Sequence, residues 1–238
     1  MKIALIGYGK MGQFIERIAK ERGHEIVSII DINNKEDFDS DAFRSADVAI
    51  EFTRPESAVG NIRQCFAQGV PVVCGTTGWV SEKKTIKKEM EAANATLFWA
   101  SNFSIGVNIF FELNKQLAKM MDKFAEYNVE MTEIHHIHKL DAPSGTAITL
   151  AEGMLENLSR KTQWTNEVEN ASTDIAIKAV REGEVPGTHI VKYESAVDNI
   201  TISHEAYTRQ GLALGAVVAA EFTAGKKGFL TMADLMKF

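Results

Sequence analysis

An apolar run, Ile3-Ala4-Leu5-Ile6, meets Gly7-Tyr8-Gly9-Lys10-Met11-Gly12, and Phe14, Ile15, Ile18 and Ala19 follow at helical spacing. A buried strand, a glycine turn and an amphipathic helix in that order constrain the fold more than any other stretch of the chain. The first glycine permits a tight turn, the second lets backbone approach a pyrophosphate, and the third lets the helix pack closely on the strand. The helix start then offers amide groups to an anion. Gly7, Tyr8, Gly9, Lys10, Met11 and Gly12 are therefore candidates for holding a dinucleotide. Asp31 closes the next apolar run, Ile26–Ile30. Its carboxylate suits the ribose hydroxyls of NADH, whereas a 2′-phosphate brings like charge close. Lys35 is the nearest cation that softens this repulsion, so NADH, NADPH or both are expected as cofactors.

Three more apolar runs follow, Ala46–Phe52, Val70–Cys74 and Thr96–Trp99, with helical segments at 57–68 and 81–93 between them. Alternation of apolar strands with helices indicates an α/β fold, a Rossmann-type parallel sheet covered on both faces. The pattern changes after residue 106. Residues 107–125 read as a long amphipathic helix, Val129–Ile134 as an alternating strand and 146–158 as a second helix. His189–Tyr193 and Ile200–His204 read as antiparallel strands. Leu212–Phe222 reads as an Ala/Val-rich helix packed back on the first domain. The expected division is a dinucleotide-binding domain of residues 1–106 and 210–238, and an α+β domain of residues 107–209.

Ligands of such folds bind beyond the carboxyl ends of the strands. Gly75-Thr76-Thr77-Gly78 follows the fourth strand there, and Ser101-Asn102-Phe103-Ser104 follows the fifth. Small hydroxyl residues and open backbone suit a nicotinamide carboxamide, and they equally suit plain turns. The residues alone leave both readings open.

The second domain holds the densest chemistry. Within Glu133-Ile134-His135-His136-Ile137-His138-Lys139-Leu140-Asp141 stand three histidines, a lysine and two carboxylates, and Ala142-Pro143-Ser144-Gly145-Thr146 follows. Histidine and lysine are proton donors near neutral pH. Ser144, Gly145 and Thr146 read as a helix start whose amides and hydroxyls can hold a carboxylate. A metal site is not expected: neighbouring residues of a strand face opposite sides, and no cysteine or H-E-x-x-H helix completes a ligand set.

The formal net charge is −6 and no arginine- or lysine-rich tract breaks it, so nucleic-acid binding is not expected. Lys83-Lys84-Thr85-Ile86-Lys87-Lys88 reads as the solvated face of a helix. No apolar run reaches membrane-spanning length. With two cysteines, Cys65 and Cys74, and no export signal, the chain is expected in the cytoplasm with both thiols reduced.

The stretch E-I-H-H-x-x-K-x-D-A-P-S-G-T-A resembles the signature of the 4-hydroxy-tetrahydrodipicolinate reductases. Gly7–Gly12, Phe52-Thr53-Arg54-Pro55-Glu56, Gly75–Gly78, Asn102–Asn108 and Arg181-Glu182-Gly183 recur in family order, so the resemblance covers the whole chain. It implies NADH- or NADPH-dependent reduction of a cyclic dicarboxylate imine with loss of water, in diaminopimelate and lysine biosynthesis. It implies His135 and Lys139 as catalytic proton carriers, His136 as a substrate contact, and Gly145 and Thr146 as the carboxylate cradle. It implies Gly75, Thr76 and Thr77 as the nicotinamide loop, with Ala100, Ser101, Asn102 and Phe103 beside it. It further implies a mixed open sheet in a substrate and oligomerisation domain, and a homotetramer built through that sheet. The chain departs from the family pattern at Ile137, where a basic residue is common, and after Asp31, which no arginine follows. Two other readings stay open: another Rossmann-type amino-acid or small-acid dehydrogenase, and a non-catalytic NAD(H)-sensing regulator.

Overall fold

Ile3–Ile6 lies within strand β1 (Lys2–Ile6), and the alternate side chains of that strand enter two different cores. The computed structural model describes residues 1–167 and 171–237. They fold as two units, Met1–Ile105 with the segment from Gln210 onward, and Gly106–Arg209.

In the first unit β1 leads through α1 (Lys10–Glu21) to β2 (Glu25–Ile30), then through a 3-10 turn and the short α2 (Asp41–Arg44) to β3 (Val48–Glu51). Next come α3 (Pro55–Gln68), β4 (Val72–Cys74), α4 (Lys83–Ala92) and β5 (Thr96–Trp99). The chain returns later with α7 (Gln210–Thr223), β11 (Gly228–Leu230) and α8 (Met232–Met236). The six strands are parallel, in the order β11-β5-β4-β3-β1-β2. One face packs Ala58, Ile62 and Cys65 of α3 and Ile86 and Met90 of α4. The other packs Ile15, Ile18 and Ala19 of α1 with Ala213, Ala216, Val217 and Ala220 of α7. Each large aliphatic side chain buried this way contributes about 1.5–3 kcal/mol. The chain runs outward from β1 to β2 and then in the opposite direction through β3, so the strand order reverses at β1 and β3. Ligands settle at such a switch point.

The second unit contains α5 (Ile105–Met121), β6 (Asn128–His135), α6 (Gly145–Leu155), β7 (Gln163–Thr165), β8 (Asp174–Arg181), β9 (Gly187–Glu194) and β10 (Asn199–Ala206). Its sheet is mixed, in the order β10-β9-β6-β8-β7. β6 and β8 run parallel, and β9 is antiparallel to β6 and β10. Phe110 and Ala118 of α5 and Leu150, Ala151 and Met154 of α6 cover one face, against Val129, Met131, Ile175, Ile177 and Val191.

Three local differences have physical causes. The long helix ends at Met121 rather than 125, because the Arg160 guanidinium takes the carbonyls of Met121, Asp122 and Tyr127, at 3.0, 3.3 and 2.9 Å. β8, absent from the sequence reading, pairs beside β6, and its inward Ile175 and Ile177 are diluted by alanines at 176 and 179. The lysines of α4 are not simply solvated: Lys83 Nζ lies 4.2 Å from the Trp99 ring centre and Lys87 Nζ 3.9 Å from that of Phe229. Cys65 and Cys74 are both free and buried.

Candidate active site

A cleft of about 380 Å³ opens at the ends of β1, β2 and β3. Gly7, Tyr8, Gly9, Asp31, Lys35, Phe52, Thr53, Arg54, Ser57 and Asn61 are among its lining residues. Gly7 has φ +91°, and a Cβ there would stand 2.2 Å from the Phe52 carbonyl oxygen. A Cβ on Gly12 would stand 2.3 Å from the Gly7 carbonyl oxygen. Gly9, by contrast, faces open space. Two glycines thus close the turn on itself, while the middle one leaves backbone accessible, which fits a pyrophosphate against the start of α1. Lys10 is the exposed first residue of that helix. The Tyr8 hydroxyl donates to Glu16, which Lys20 also holds at 2.7 Å. Asp31 is exposed, and its Oδ1 accepts from the Ile32 amide at 2.9 Å.

A smaller hollow shares Phe52 and Thr53 with the first and is lined further by Met11, Pro55, Gly75, Thr76 and Thr77. Its loop is tightly held. The Thr53 amide donates to Thr76 Oγ1 at 2.8 Å. The indole N–H groups of Trp79 and Trp99 both donate to the Thr76 carbonyl oxygen, at 2.8 and 3.3 Å. A Cβ on Gly75 would stand 2.1 Å from the Phe52 ring. Ala100, Ser101, Asn102 and Phe103 line neither hollow. Ala100 and Phe103 are buried in the core, the Phe103 ring 5.6 Å from that of Phe52, and Asn102 Oδ1 accepts from the Ser104 amide at 2.9 Å. Among the expected cofactor residues the structure gathers Gly7–Gly9, Met11, Asp31 and Gly75–Thr77 around adjoining hollows; Ala100 and Phe103 are buried, and Ser101 is exposed and lines neither.

In the second unit β6 exposes and buries residues alternately, so Val129, Met131, Glu133 and His135 all face inward. The apolar face of the strand therefore ends in a carboxylate and an imidazole. Register adds two more groups: His189 of β9 stands opposite Glu133, and Arg181 of β8 opposite His135. Arg181 Nη2 donates to Glu133 Oε1 at 3.0 Å and to the Asp141 carbonyl at 2.6 Å. The Ser144 amide donates to both Glu133 oxygens, at 3.0 and 3.1 Å. His135 Nδ1 lies 3.3 Å from Glu133 Oε2, a close contact off the hydrogen-bond line. Burial pushes the Glu133 carboxyl up, but His135, Ser144 and Arg181 outweigh it and hold it at about 2. Burial pushes the His189 imidazole down to about 4, with neighbouring His135 adding to the effect, so His189 is neutral at pH 7.

Ser144 caps α6, its hydroxyl accepting from the Ala147 amide at 3.2 Å, and Gly145 and Thr146 form the first turn. The amides of such a turn have no acceptor within their own helix. Lys139 Nζ donates to both oxygens of Asp141, at 2.7 and 2.9 Å. Burial pushes the Asp141 carboxyl up, but the Lys139 ammonium prevails and lowers it. His136 is turned away from Glu133, with Nε2 3.3 Å from Arg209 Nη2; burial and then that guanidinium push its imidazole down. Sequence pattern alone assigns no role to Glu133, His189, Arg181, Arg54 or Arg209. Glu133 had one available signal, its position two residues before His135 on the same strand face. Glu133, His135 and His189 are also close enough together to hold a metal ion. Arg181 on the same carboxylate already supplies positive charge there.

Residues 1–103 match the family model described as Dihydrodipicolinate reductase, N-terminus, and residues 106–236 match that described as Dihydrodipicolinate reductase, C-terminus. The chain is 50% identical to a 4-hydroxy-tetrahydrodipicolinate reductase of Christiangramia forsetii, over 99% of this chain and 98% of that one. It is 35% identical to a protein of the same name from Ralstonia nicotianae, over 99% of each. A crystallised dipicolinate-bound dihydrodipicolinate reductase from Paenisporosarcina sp. TG-14 shares the fold with a TM-score of 0.79 at 22% identity, over 98% of each chain.

Proposed function

The chain belongs to the dihydrodipicolinate reductase family, and on that premise we propose that it reduces 4-hydroxy-tetrahydrodipicolinate to tetrahydrodipicolinate with loss of water, using either NADH or NADPH. It is an oxidoreductase of diaminopimelate and lysine biosynthesis that depends on a nicotinamide cofactor.

One observation carries the assignment of roles. The Glu133 carboxylate has His135 at 3.3 Å and the amide that opens α6 at 3.0 Å, so a proton-carrying imidazole and a helix start meet at one buried group. Gly145 and Thr146 receive one substrate carboxylate at that helix start. Lys139 exchanges Asp141 for a substrate carboxylate and pairs with it. His136, beside Arg209, adds a polar contact on the same side of the loop. His135 delivers the proton that quenches the negative charge developing on the reducing ring, and Lys139 serves a second proton step. When bound, the reduced cofactor supplies the hydride. Gly7, Gly9 and the start of α1 hold its pyrophosphate, Asp31 its adenosine ribose, and Gly75–Thr77 its carboxamide, with Ala100–Phe103 supporting that loop from behind.

The half-buried Val180, Ile134 and Ile190 on the uncovered face of the mixed sheet, among Glu130, Lys192 and Lys178, fit an interface between copies. A homotetramer in the cytoplasm completes the reading. The deciding experiment is NADH or NADPH oxidation followed by absorbance, with the dicarboxylate imine generated in situ. Turnover with both cofactors is expected; no turnover with either removes the proposed activity, and turnover only with unrelated small acids favours a different dehydrogenase.

A further inference from the structure

Beside His135 the proposed reaction leaves a buried carboxylate without a task. Glu133 has no solvent exposure, yet it is ionised throughout the working range, held at about 2 by its neighbours. An ion pair with Arg181 alone would engage one carboxylate oxygen. Here the two oxygens divide. Oε1 takes Arg181 and the Ser144 amide, and Oε2 also accepts from that amide at 3.1 Å and faces His135 at 3.3 Å and His189 at 3.8 Å. His189 is neutral near pH 7, so it is no countercharge for Oε2.

We propose that Glu133 is the positioning residue of this site: its carboxylate fixes the ring of His135 through Nδ1 and the start of α6 through the Ser144 amide, so that proton donor and carboxylate cradle are held as one piece. A carboxylate that stays ionised only accepts hydrogen bonds. The imidazole nitrogen facing it is attracted only when it carries a proton. Nδ1 is therefore the permanently protonated nitrogen of His135, and Nε2 is left as the one that exchanges a proton. The surroundings of Nε2 agree. A Cβ at position 187 would stand 3.0 Å from Nε2, so only a glycine there leaves that nitrogen uncrowded. The contact to Nδ1 is 3.3 Å and not yet aligned, and such contacts tighten when the reacting complex forms. Arg181 completes the unit by holding the carbonyls of Lys139 and Asp141 at 3.4 and 2.6 Å, which ties the Lys139 loop to the same carboxylate.

The inference rests on the reading of His135 as the proton carrier, and the two are separable. His135→Ala with near-normal turnover removes that reading, whatever Glu133 does. Glu133 is tested on the whole protein labelled with 15N-histidine, by long-range proton–nitrogen correlation of the imidazole rings, with His135→Ala assigning the signal. The expected result for the wild type is a proton held on Nδ1 of His135, with Nε2 the nitrogen that gains and loses its proton. Glu133→Gln is expected to mix the two tautomers. It should also lower kcat by about tenfold or more, a part of the roughly 10²–10⁴-fold that a positioned proton donor contributes, with the KM for cofactor unchanged. Glu133→Asp should recover part of the tautomer bias and part of the rate. A wild-type His135 whose single proton sits on Nε2 overturns the proposal whether or not the Glu133 variants fold. So does a Glu133→Gln enzyme that keeps both the Nδ1 proton and the wild-type kcat.

Discussion

A Cβ at Gly187 would lie 3.0 Å from Nε2 and 3.3 Å from Cδ2 of His135. A methyl group there must push the ring away by a few tenths of an ångström, and the ring is backed by Glu133 and by His189, whose ring centre is 5.1 Å distant. Misplacement of a reacting group by about 1 Å costs about a hundredfold in rate. Gly187→Ala is therefore expected to lower kcat by about tenfold and leave cofactor binding intact. Steady-state kinetics with imine and cofactor varied separately checks it; an alanine enzyme with wild-type kcat would show that the ring has slack.

Lys139 is not idle before substrate arrives, because Asp141 holds it through both oxygens. A substrate carboxylate has to displace that partner. Asp141→Asn should lower the KM for the dicarboxylate, provided the loop keeps its anchor to Arg181 through the Asp141 carbonyl, which the substitution leaves in place. Lys139→Ala should raise KM and lower kcat together. Lys139→Arg should recover binding but not rate, since a guanidinium stays protonated and cannot pass a proton on. Full recovery of rate by arginine would reduce Lys139 to an anion partner.

Acid should unfold the second unit in a particular window. His189 has its folded value pushed from 6.5 down to about 4, so below 6.5 the unfolded chain binds more protons than the folded one. The stability this provides is complete above 6.5 and is lost as pH falls toward 4, on the order of 3 kcal/mol in all. Glu133 acts in the same direction at lower pH, because its folded value is also depressed. Denaturant melts between pH 7 and pH 4, in wild type and His189→Asn, measure this. The asparagine variant should show a flatter dependence across the window; an unchanged slope would mean that another group carries the titration.

Asp31, Lys35 and Arg54 line one cleft, an acid facing two cations. The acid favours a free 2′-hydroxyl and the cations favour a 2′-phosphate, so use of both cofactors is expected. Asp31→Ala should weaken NADH more than NADPH, and Lys35→Ala with Arg54→Ala should do the reverse. The quantity to follow is the ratio of kcat/KM for the two cofactors. A wild type preferring NADPH tenfold, about 1.4 kcal/mol, would mean that the cations outweigh Asp31.

The first unit was legible because its signals are local. Strands β1 to β5 are short, mostly apolar runs, and Gly7 and Gly12 are demanded by backbone atoms only a few residues or one strand away. The second unit was legible in its chemistry but not in its wiring. His135, Lys139 and Ser144 stand close together in sequence, whereas Arg181 and His189 reach Glu133 only through the register of β8 and β9. β8 was obscured by its alanines, and β7 and β11 span three residues each, too few to display a period. Arg54 was visible as part of a motif, but its place in the cleft with Asp31 depends on β2 and β3 both flanking β1.

Of the three tryptophans in the chain, two share a single acceptor, the Thr76 carbonyl, and their rings meet edge-on at 5.9 Å. Any movement of the Gly75–Thr77 loop alters the hydrogen bonding of both indoles at once, and Trp79 is almost wholly shielded from water. The protein therefore carries its own optical gauge of that loop. Ultraviolet emission from these two rings, with Trp164 of the other unit as the background to subtract, should register occupancy beside Thr76 without dye, label or turnover.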